Sequence, residues 1–593
     1  EAEPAPVDLA AEMARMRAEL EAVKAELAAT QEQLKGQARR LDGTVKDVSG
    51  IRTKMASAKD FRVDLTGYYR VRGYVYGAKF GEDKAVTGGL YANQPTSGRF
   101  MNQRLRMGVK FAWKEVASLN VHVQGLDDVV WGDNADIASA PLFAEKPSDT
   151  GISGQAAPNF EVFRAWAEMK VPLGLIRVGR QSSHWGLGLL ANHGDGFDDD
   201  FGENHFGNQF DRFLFATNPI AIAQAFTKKQ ELTTPQLNVV VAVDRLVEDP
   251  LTQYYGYRCS PGVSRDTDPD RYDVRCDSDG DGLTDRDHGF TDDSRQESQR
   301  RPDWWVDQRD DVWEMVYALL YRGKDIRYFG GVGDLTAGAY VIHRKQKETD
   351  SDVVVGDLYL DAFVHHVGLQ FEGVGIWGKT RALSLPDSTQ EDPLRKKANI
   401  FGYAARLFYE QPYWKVLFES GYASGDNQVN DQLFTGRALH PDFNVGLILY
   451  EDVVAQVSAR LWGESARGLR SQGGVYNSHY IFPRVYAYPL PNWQVILGVL
   501  AAWPDKPDGA IVRCTAAEVS KFGCAGAGAT SDMLGWEVDL AIKHKWQDHL
   551  NFSLETGWAR ATDRLALAAA GLNVNEKGQG NFWTLQSRVA WEF

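Results

Sequence analysis

Two hydrophobic periods divide the chain. From Leu9 the apolar residues step by four and three, through Met13, Met16, Leu20, Val23 and Leu27, and the register runs on to Leu34 and Leu41. Met13, Leu20, Leu27, Leu34 and Leu41 fall at position a of a heptad, with Met16, Val23 and Thr30 at d. Glu12, Glu19 and Glu26 fall at g, and Arg17 and Lys24 at e. Pairs of g with the following e, Glu12–Arg17 and Glu19–Lys24, favour parallel neighbours, and Leu at a with β-branched d positions shifts the balance above two strands. Residues 1–50 are therefore expected to form a parallel coiled coil, ending in a hinge loosened by Gly36, Gly43 and Gly50, with 51–60 as linker. A single amphipathic helix packed on a body explains the stripe but not the charges.

From residue 61 the period becomes two. Phe61, Val63, Leu65, Tyr69, Val71 and Val75 share one face, and Asp64, Arg70 and Arg72 the other. The same alternation sets Met101, Leu105, Met107 and Phe111 against Arg104, Arg106 and Lys110, and recurs at 160–171, 536–546 and 549–558. A soluble sandwich also alternates. Two features argue against one. The segments are about 10–13 residues long, where soluble strands average about 5–6. Tryptophans also sit at segment ends: Trp113, Trp414, Trp493, Trp503, Trp546, Trp583 and Trp591. These are the positions at which aromatic girdles meet two lipid interfaces. An apolar-out, charged-in cylinder satisfies every backbone group in lipid.

About 18 candidate strands can be counted, with 16 as the alternative, starting near 61, 101, 117, 160, 174, 209, 236, 311, 326, 354, 367, 397, 413, 476, 493, 533, 549 and 580. Their connections alternate short and long. Short ones include Pro172–Gly174, Arg322–Asp325, Glu410–Pro412 and Pro489–Asn492; long ones include 78–100, 128–158, 182–208, 247–308, 424–475, 504–531 and 561–579. The stretch 218–235 is too long for its place. The fold expected is an all-β transmembrane barrel over 61–593, following the N-terminal α-helical coil. The chain closes on Trp583, Leu585, Val589, Trp591 and Phe593, which face one way; a final strand ending in Phe resembles the insertion signal of bacterial outer-membrane barrels.

Composition fits this picture. The chain has 593 residues, 43% hydrophobic and 24% charged, and a formal charge of −15, which argues against nucleic acid as a partner. Mean hydropathy is −0.38, and no run of about 18 uncharged apolar residues marks a membrane helix. No signal peptide is visible, and a chain opening at Glu1 is what a processed export product would show. Cys259 and Cys276 fall in one long loop and Cys514 and Cys524 in another, so two loop-local disulfides of an oxidising compartment are expected, with free thiols as the alternative.

Two loops carry candidate chemistry. Asp277, Asp279, Asp281 and Asp285, with the Leu283 carbonyl, have the alternating oxygen spacing that wraps Ca²⁺ and resemble thrombospondin-repeat and EF-hand calcium loops. His288 stands where an EF-hand closes with Glu; an acidic solvated loop is the bland alternative. The segment 179–205 holds His184, His193, Asp195, Asp198, Asp199, Asp200, Glu203 and His205 and is the third external loop by count. In general porins that loop folds into the lumen. Here Asp195, Asp198, Asp199, Asp200 and Glu203 would face a wall of Arg70, Arg72, Arg104, Arg106 and Arg164 across a water-filled constriction, setting up a transverse field. A Gly/Asp plug and a metal site at His193 are the alternatives. Ser183 and His184 make a poor hydrolase pair, because adjacent strand residues point to opposite faces.

His184-Trp-Gly-Leu-Gly-Leu-Leu-Ala-Asn192, Asp198-Asp-Asp-Phe-Gly202, Asp211-Arg212 and Gly67-Tyr-Tyr-Arg-Val-Arg-Gly73 together resemble an uncharacterised family of porin-like outer-membrane barrels from myxobacteria and their relatives. The resemblance covers the barrel and not the coil. It implies location and fold more than activity. The expected protein is a non-enzymatic, homotrimeric Gram-negative porin passing small hydrophilic solutes or ions. Its expected partners are the bilayer, lipopolysaccharide and two further copies joined through coil and barrel walls, with no cofactor besides structural Ca²⁺. The alternative is a plugged barrel tethering the membrane to peptidoglycan or a periplasmic partner.

Overall fold

The computed structural model describes residues 61–77, 99–114, 116–131, 160–197, 199–204, 207–227, 236–248, 257–258, 276–277, 312–328, 330–346, 351–380, 396–427, 432–462, 471–506, 530–567, 572 and 574–593. The chain divides into two compact units. The smaller takes in 1–64 and 111–115. Its described part holds the stacked rings of Phe61 and Phe111, 6.2 Å apart, the Arg62–Asp64 pair at 2.9 Å and an exposed Trp113. The larger, 65–110 with 116–593, carries all of the barrel except the ends of its first two strands.

Its strands are β1 (Phe61–Tyr76), β2 (Arg99–Trp113), β3 (Ala117–Val130), β4 (Phe160–Val171), β5 (Gly174–Ser182), β6 (Gln209–Thr217), β7 (Gln236–Glu248), β8 (Val312–Tyr328), β9 (Gly331–Gln346), β10 (Ser351–Val364), β11 (Val367–Thr380), β12 (Lys396–Gln411), β13 (Trp414–Ala423), β14 (Ser478–Ala487), β15 (Trp493–Pro504), β16 (Gly535–Trp546), β17 (Leu550–Ala561) and β18 (Gly580–Glu592). Each pairs with its sequence neighbours, and β18 returns antiparallel to β1, from Tyr68 opposite Glu592 to Tyr76 opposite Thr584. The result is a closed barrel of 18 antiparallel strands, which leaves no open edge. Phe593 and Gly67 exchange backbone hydrogen bonds of 3.0 Å at the junction. A Cβ at Gly67 would stand 2.4 Å from the Arg106 carbonyl, so glycine is what lets β1 lie this close to β2. Leu433–Phe434 adds a two-residue parallel strand on β12, and Tyr257–Arg258 pairs with Cys276–Asp277 in a separate small ladder.

The expected strand starts hold to within a few residues, with one correction. Arg322-Gly-Lys-Asp325 is not a turn. β8 runs through it with a bulge between Gly323 and Ile326, Asp325 at φ 52°, and the chain reverses only near 330. Two reversals place two successive residues at positive φ, His365-His366 and Gln547-Asp548, the geometry whose twist matches that of a hairpin. The overlong 218–235 stretch contains helix α1 (Pro219–Thr227).

Burial is reversed relative to a soluble protein. Arg70, Arg104, Arg164, Glu314, Asp357, Glu372, Glu419, Arg484, Glu537, Asp539 and Arg588 are buried, while Leu65, Met101, Val241, Leu358, Phe401, Phe418, Leu497 and Leu554 are exposed. Polar side chains point into the barrel and apolar ones out, as a wall facing hydrocarbon requires. Trp414, Trp493, Trp546 and Trp591 lie exposed at the end with the short connections, and Trp313, Trp377, Trp558 and Trp583 at the other. Two aromatic girdles thus border the apolar band.

Candidate functional site

Among the described residues, parts of two connections fold into the interior: 183–197, 199–204 and 207–208 between β5 and β6, and 424–427, 432–462 and 471–477 between β13 and β14. The first follows from its composition. Glycines at positive φ, among them Gly186, Gly188, Gly194, Gly196, Gly202 and Gly207, let it turn repeatedly in little space. Its carboxylates then meet the arginines that alternate along β1, β2, β4 and β18.

Glu203 is at the centre of one cluster. Its side chain is 1% exposed and pairs with Arg70, with Arg588 at 3.5 Å, and with Arg72 and Arg104 at 3.8 Å. Arg70 also donates to the Asn102 side chain at 2.6 Å, and Arg72 to Gln586 at 2.5 Å. The adjoining backbone is held too: Gly202 N–H donates to Glu555 at 2.8 Å, and Arg588 donates to the Gly202 carbonyl at 3.1 Å. Burial raises the Glu203 pKa, but the guanidinium groups of Arg72, Arg70, Arg588 and Arg104 outweigh it and bring it down to about 2.

Asp195 joins a second pair of arginines, Arg106 at 3.0 Å and Arg164, which also donate to the Gly194 and His193 carbonyls. Asp200 pairs with Arg484 at 2.6 Å and accepts the Tyr486 hydroxyl at 2.5 Å. Asp199 accepts the Asn444 amide at 2.9 Å, and its carbonyl accepts Lys543. Burial pushes the Asp199 carboxyl up to about 7, against the pull of Asn444 and Lys543. Two wall carboxylates complete the attachment. Glu372 accepts the Leu187 and Leu189 N–H groups, and Asp357 accepts the Trp185 indole at 3.1 Å.

The candidate wall and the candidate loop are therefore brought together, with one difference from expectation. Opposed charges across a water-filled gap were expected. Guanidinium and carboxylate groups are instead in contact, because a carboxylate as buried as Glu203 must be paired and hydrogen-bonded. Arg588, Arg484, Glu372 and Glu555, which the sequence analysis does not single out, belong to the same network. His184 and His193 stack at 4.4 Å, and burial with the neighbouring His193 and His440 lowers the His184 pKa to about 4. His193 Nδ1 accepts the Asp195 N–H at 3.0 Å, and Ser183 accepts a hydrogen bond from Arg212 at 3.3 Å. Among the described residues no three His, Cys, Asp or Glu side chains form a metal cage. Asp198, His205, the coiled-coil positions in 1–50, Asp279, Asp281, Leu283, Asp285, Cys259, Cys514 and Cys524 lie outside the described residues, as do the side chains of Cys276 and Asp277.

The second inward connection was not singled out by the sequence. Leu447, Ile448, Leu449, Tyr450, Val453, Val454 and Val457 are all buried, in a π-helical turn (Leu449–Val454) leading into α2 (Ala455–Trp462). Glu537 on β16 accepts the N–H groups of Leu447, Ile448 and Leu449 at 2.7, 2.8 and 2.7 Å. The two connections also bond to each other. Gly207 N–H donates to Asp442 at 2.8 Å, Asn192 to the Asp442 carbonyl at 3.2 Å, and His440 N–H to the Leu189 carbonyl at 2.8 Å. The signal in the sequence was the apolar stretch Val445–Val457, broken by Glu451-Asp452, inside a connection that no strand could absorb.

No family model matches the chain, and no curated protein is similar to it. Among solved structures, the chain is similar to the outer-membrane protein OpdK of Pseudomonas aeruginosa (TM-score 0.42, 10% identity, 89% of this chain and 98% of that one). OccAB1 of Acinetobacter baumannii (0.42, 11%, 89% and 97%) and OccK8 of Pseudomonas aeruginosa (0.41, 10%, 89% and 98%) match to the same degree.

Proposed function

We propose that this barrel lies in a bacterial outer membrane and passes small hydrophilic solutes or ions by passive diffusion, without turnover, past two loops folded into its lumen. The reading rests on the reversed burial: an apolar wall flanked by aromatic girdles outside, and fixed carboxylates and guanidiniums inside. Asp195, Asp199, Asp200 and Glu203, with Arg70, Arg72, Arg104, Arg106 and Arg164, would then set the constriction as bound pairs, and what passes would do so beside them. Purified protein in a planar bilayer should carry an ohmic ion current. A protein confirmed as inserted but silent would reject the channel.

A second reading has its own observation in its favour. The apolar packing of 445–457, with its N–H groups held by Glu537, fills space that an open pore would leave to water. A plugged barrel tethered through residues 1–50 would show no current, and a peptidoglycan pull-down lost on deleting those residues. We also propose, from sequence alone, the trimeric coiled coil, calcium at 277–285 and the two loop-local disulfides. Cross-linking, isothermal titration with Ca²⁺ and non-reducing peptide mapping test them in turn.

A further inference from the structure

Helix α1 breaks the pattern of its end of the barrel. The described neighbours there, 172–173, 365–366, 412–413, 488–492 and 547–549, are turns of a few residues. Between β6 and β7 the chain makes a nine-residue helix instead, with Pro219 in its first turn and the Asn218 side chain accepting the Ala221 N–H at 3.0 Å. Its sequence, Pro-Ile-Ala-Ile-Ala-Gln-Ala-Phe-Thr, has no charged residue in the first or last turn or between them.

A helix apolar on all sides is ordinarily buried in protein or in membrane. None of positions 219–224 is buried here. Beside it stands Leu173, 56% exposed, whose carbonyl accepts the Thr217 hydroxyl at 2.6 Å. Met169, Phe213 and Val241 continue the exposed apolar surface down the wall. The tryptophans at this end, Trp414, Trp493, Trp546 and Trp591, belong to β13, β15, β16 and β18, and the strands β4 to β7, like β9 and β11, bring no Trp or Tyr to it. The next residues in the sequence are Lys228 and Lys229, cations of the kind that meet anionic headgroups.

We propose that α1 lies in the bilayer interface, the face that carries Ile222 taken up at the boundary of headgroups and acyl chains over β4–β7. The proposal rests on the placement of the barrel wall in lipid, and the test separates the two. p-Benzoylphenylalanine is introduced at Ile222 and, in a second variant, at Leu358, which is 60% exposed on the outer wall. Each full-length variant, selected as the folded species by its gel mobility without boiling, is irradiated in phosphatidylethanolamine–phosphatidylglycerol vesicles and mapped by mass spectrometry. Lipid adducts at both positions are expected. A lipid adduct at 358 with none at 222, or a protein cross-link at 222, overturns the role of α1 alone. No lipid adduct at either position overturns the membrane-facing wall as well.

Discussion

Residues 183–208 and 424–477 share one interior but are held there by different side chains. The first is fastened by charge. Glu203, Asp195 and Asp200 each meet one or more guanidiniums, and the backbone around them accepts further arginine donors. The second is held by packed aliphatic residues, with one wall carboxylate, Glu537, receiving three successive N–H groups. Fixed charge gives direction and responds to protonation. Apolar packing gives no such direction, but here it encloses the acidic pair Glu451 and Asp452, whose carboxyls burial pushes up, Asp452 to about 8. The barrel interior therefore carries one loop fastened by ion pairs and one fastened by apolar packing around buried carboxyls.

The contrast can be broken most severely by removing the apolar loop. Replacing 437–474 with a short Gly-Ser linker should raise single-channel conductance several-fold with the strand circular dichroism unchanged; an unchanged conductance would show that the loop does not obstruct the lumen. Next in size is Glu203→Ala, which leaves its arginines without their shared carboxylate. Losing one partner of a buried pair costs about 3–5 kcal/mol, so the 183–208 loop should become cleavable by added protease while 424–477 stays protected.

In the 183–208 loop the pH response should be set by two carboxyls with opposite shifts, with His184, lowered to about 4, adding to the loss on the acid side. Glu203 sits low, at about 2, so its contribution to docking is present above the ordinary carboxylate range and is lost as pH falls toward that value. Asp199 sits high, at about 7, so the docked loop favours its protonated form, and docking weakens as pH climbs from the ordinary range through 7. Protease protection of 183–208 should therefore be greatest in mildly acidic buffer. Asp199→Asn should flatten the alkaline limb only, and a variant that keeps both limbs would refute the assignment. The smallest effect belongs to Asn444→Ala, which removes a single hydrogen bond of 2.9 Å to Asp199. A loss of about 1 kcal/mol is expected from denaturant titration of loop protection.

The two loops also differ in how far the sequence exposed them. The barrel was legible because a wall with lipid on one side and water on the other forces alternation over ten or more residues, as in β1, β2 and β18. The arginine wall and the acidic loop were legible for the same reason: Arg70, Arg72, Arg104 and Arg106 fall on one face by parity alone. The inward fold of the described part of 424–477 was not. Its apolar run has no partner at any fixed spacing, and Glu537 as the acceptor of three N–H groups exists only once β16 stands beside that run. The turn misplaced at Arg322–Asp325 failed for a local reason, since Gly-Lys-Asp suits a bulge as well as a reversal.

Glu203 grips β1 through Arg70 and Arg72, β2 through Arg104, and β18 through Arg588. These are the first two strands and the last, and β18 is far from β1 along the chain and beside it only after the cylinder has closed. The complete set of ion pairs cannot exist in a half-assembled sheet. The loop thus works as a clasp across the final join, and the moment it engages would mark the end of barrel assembly.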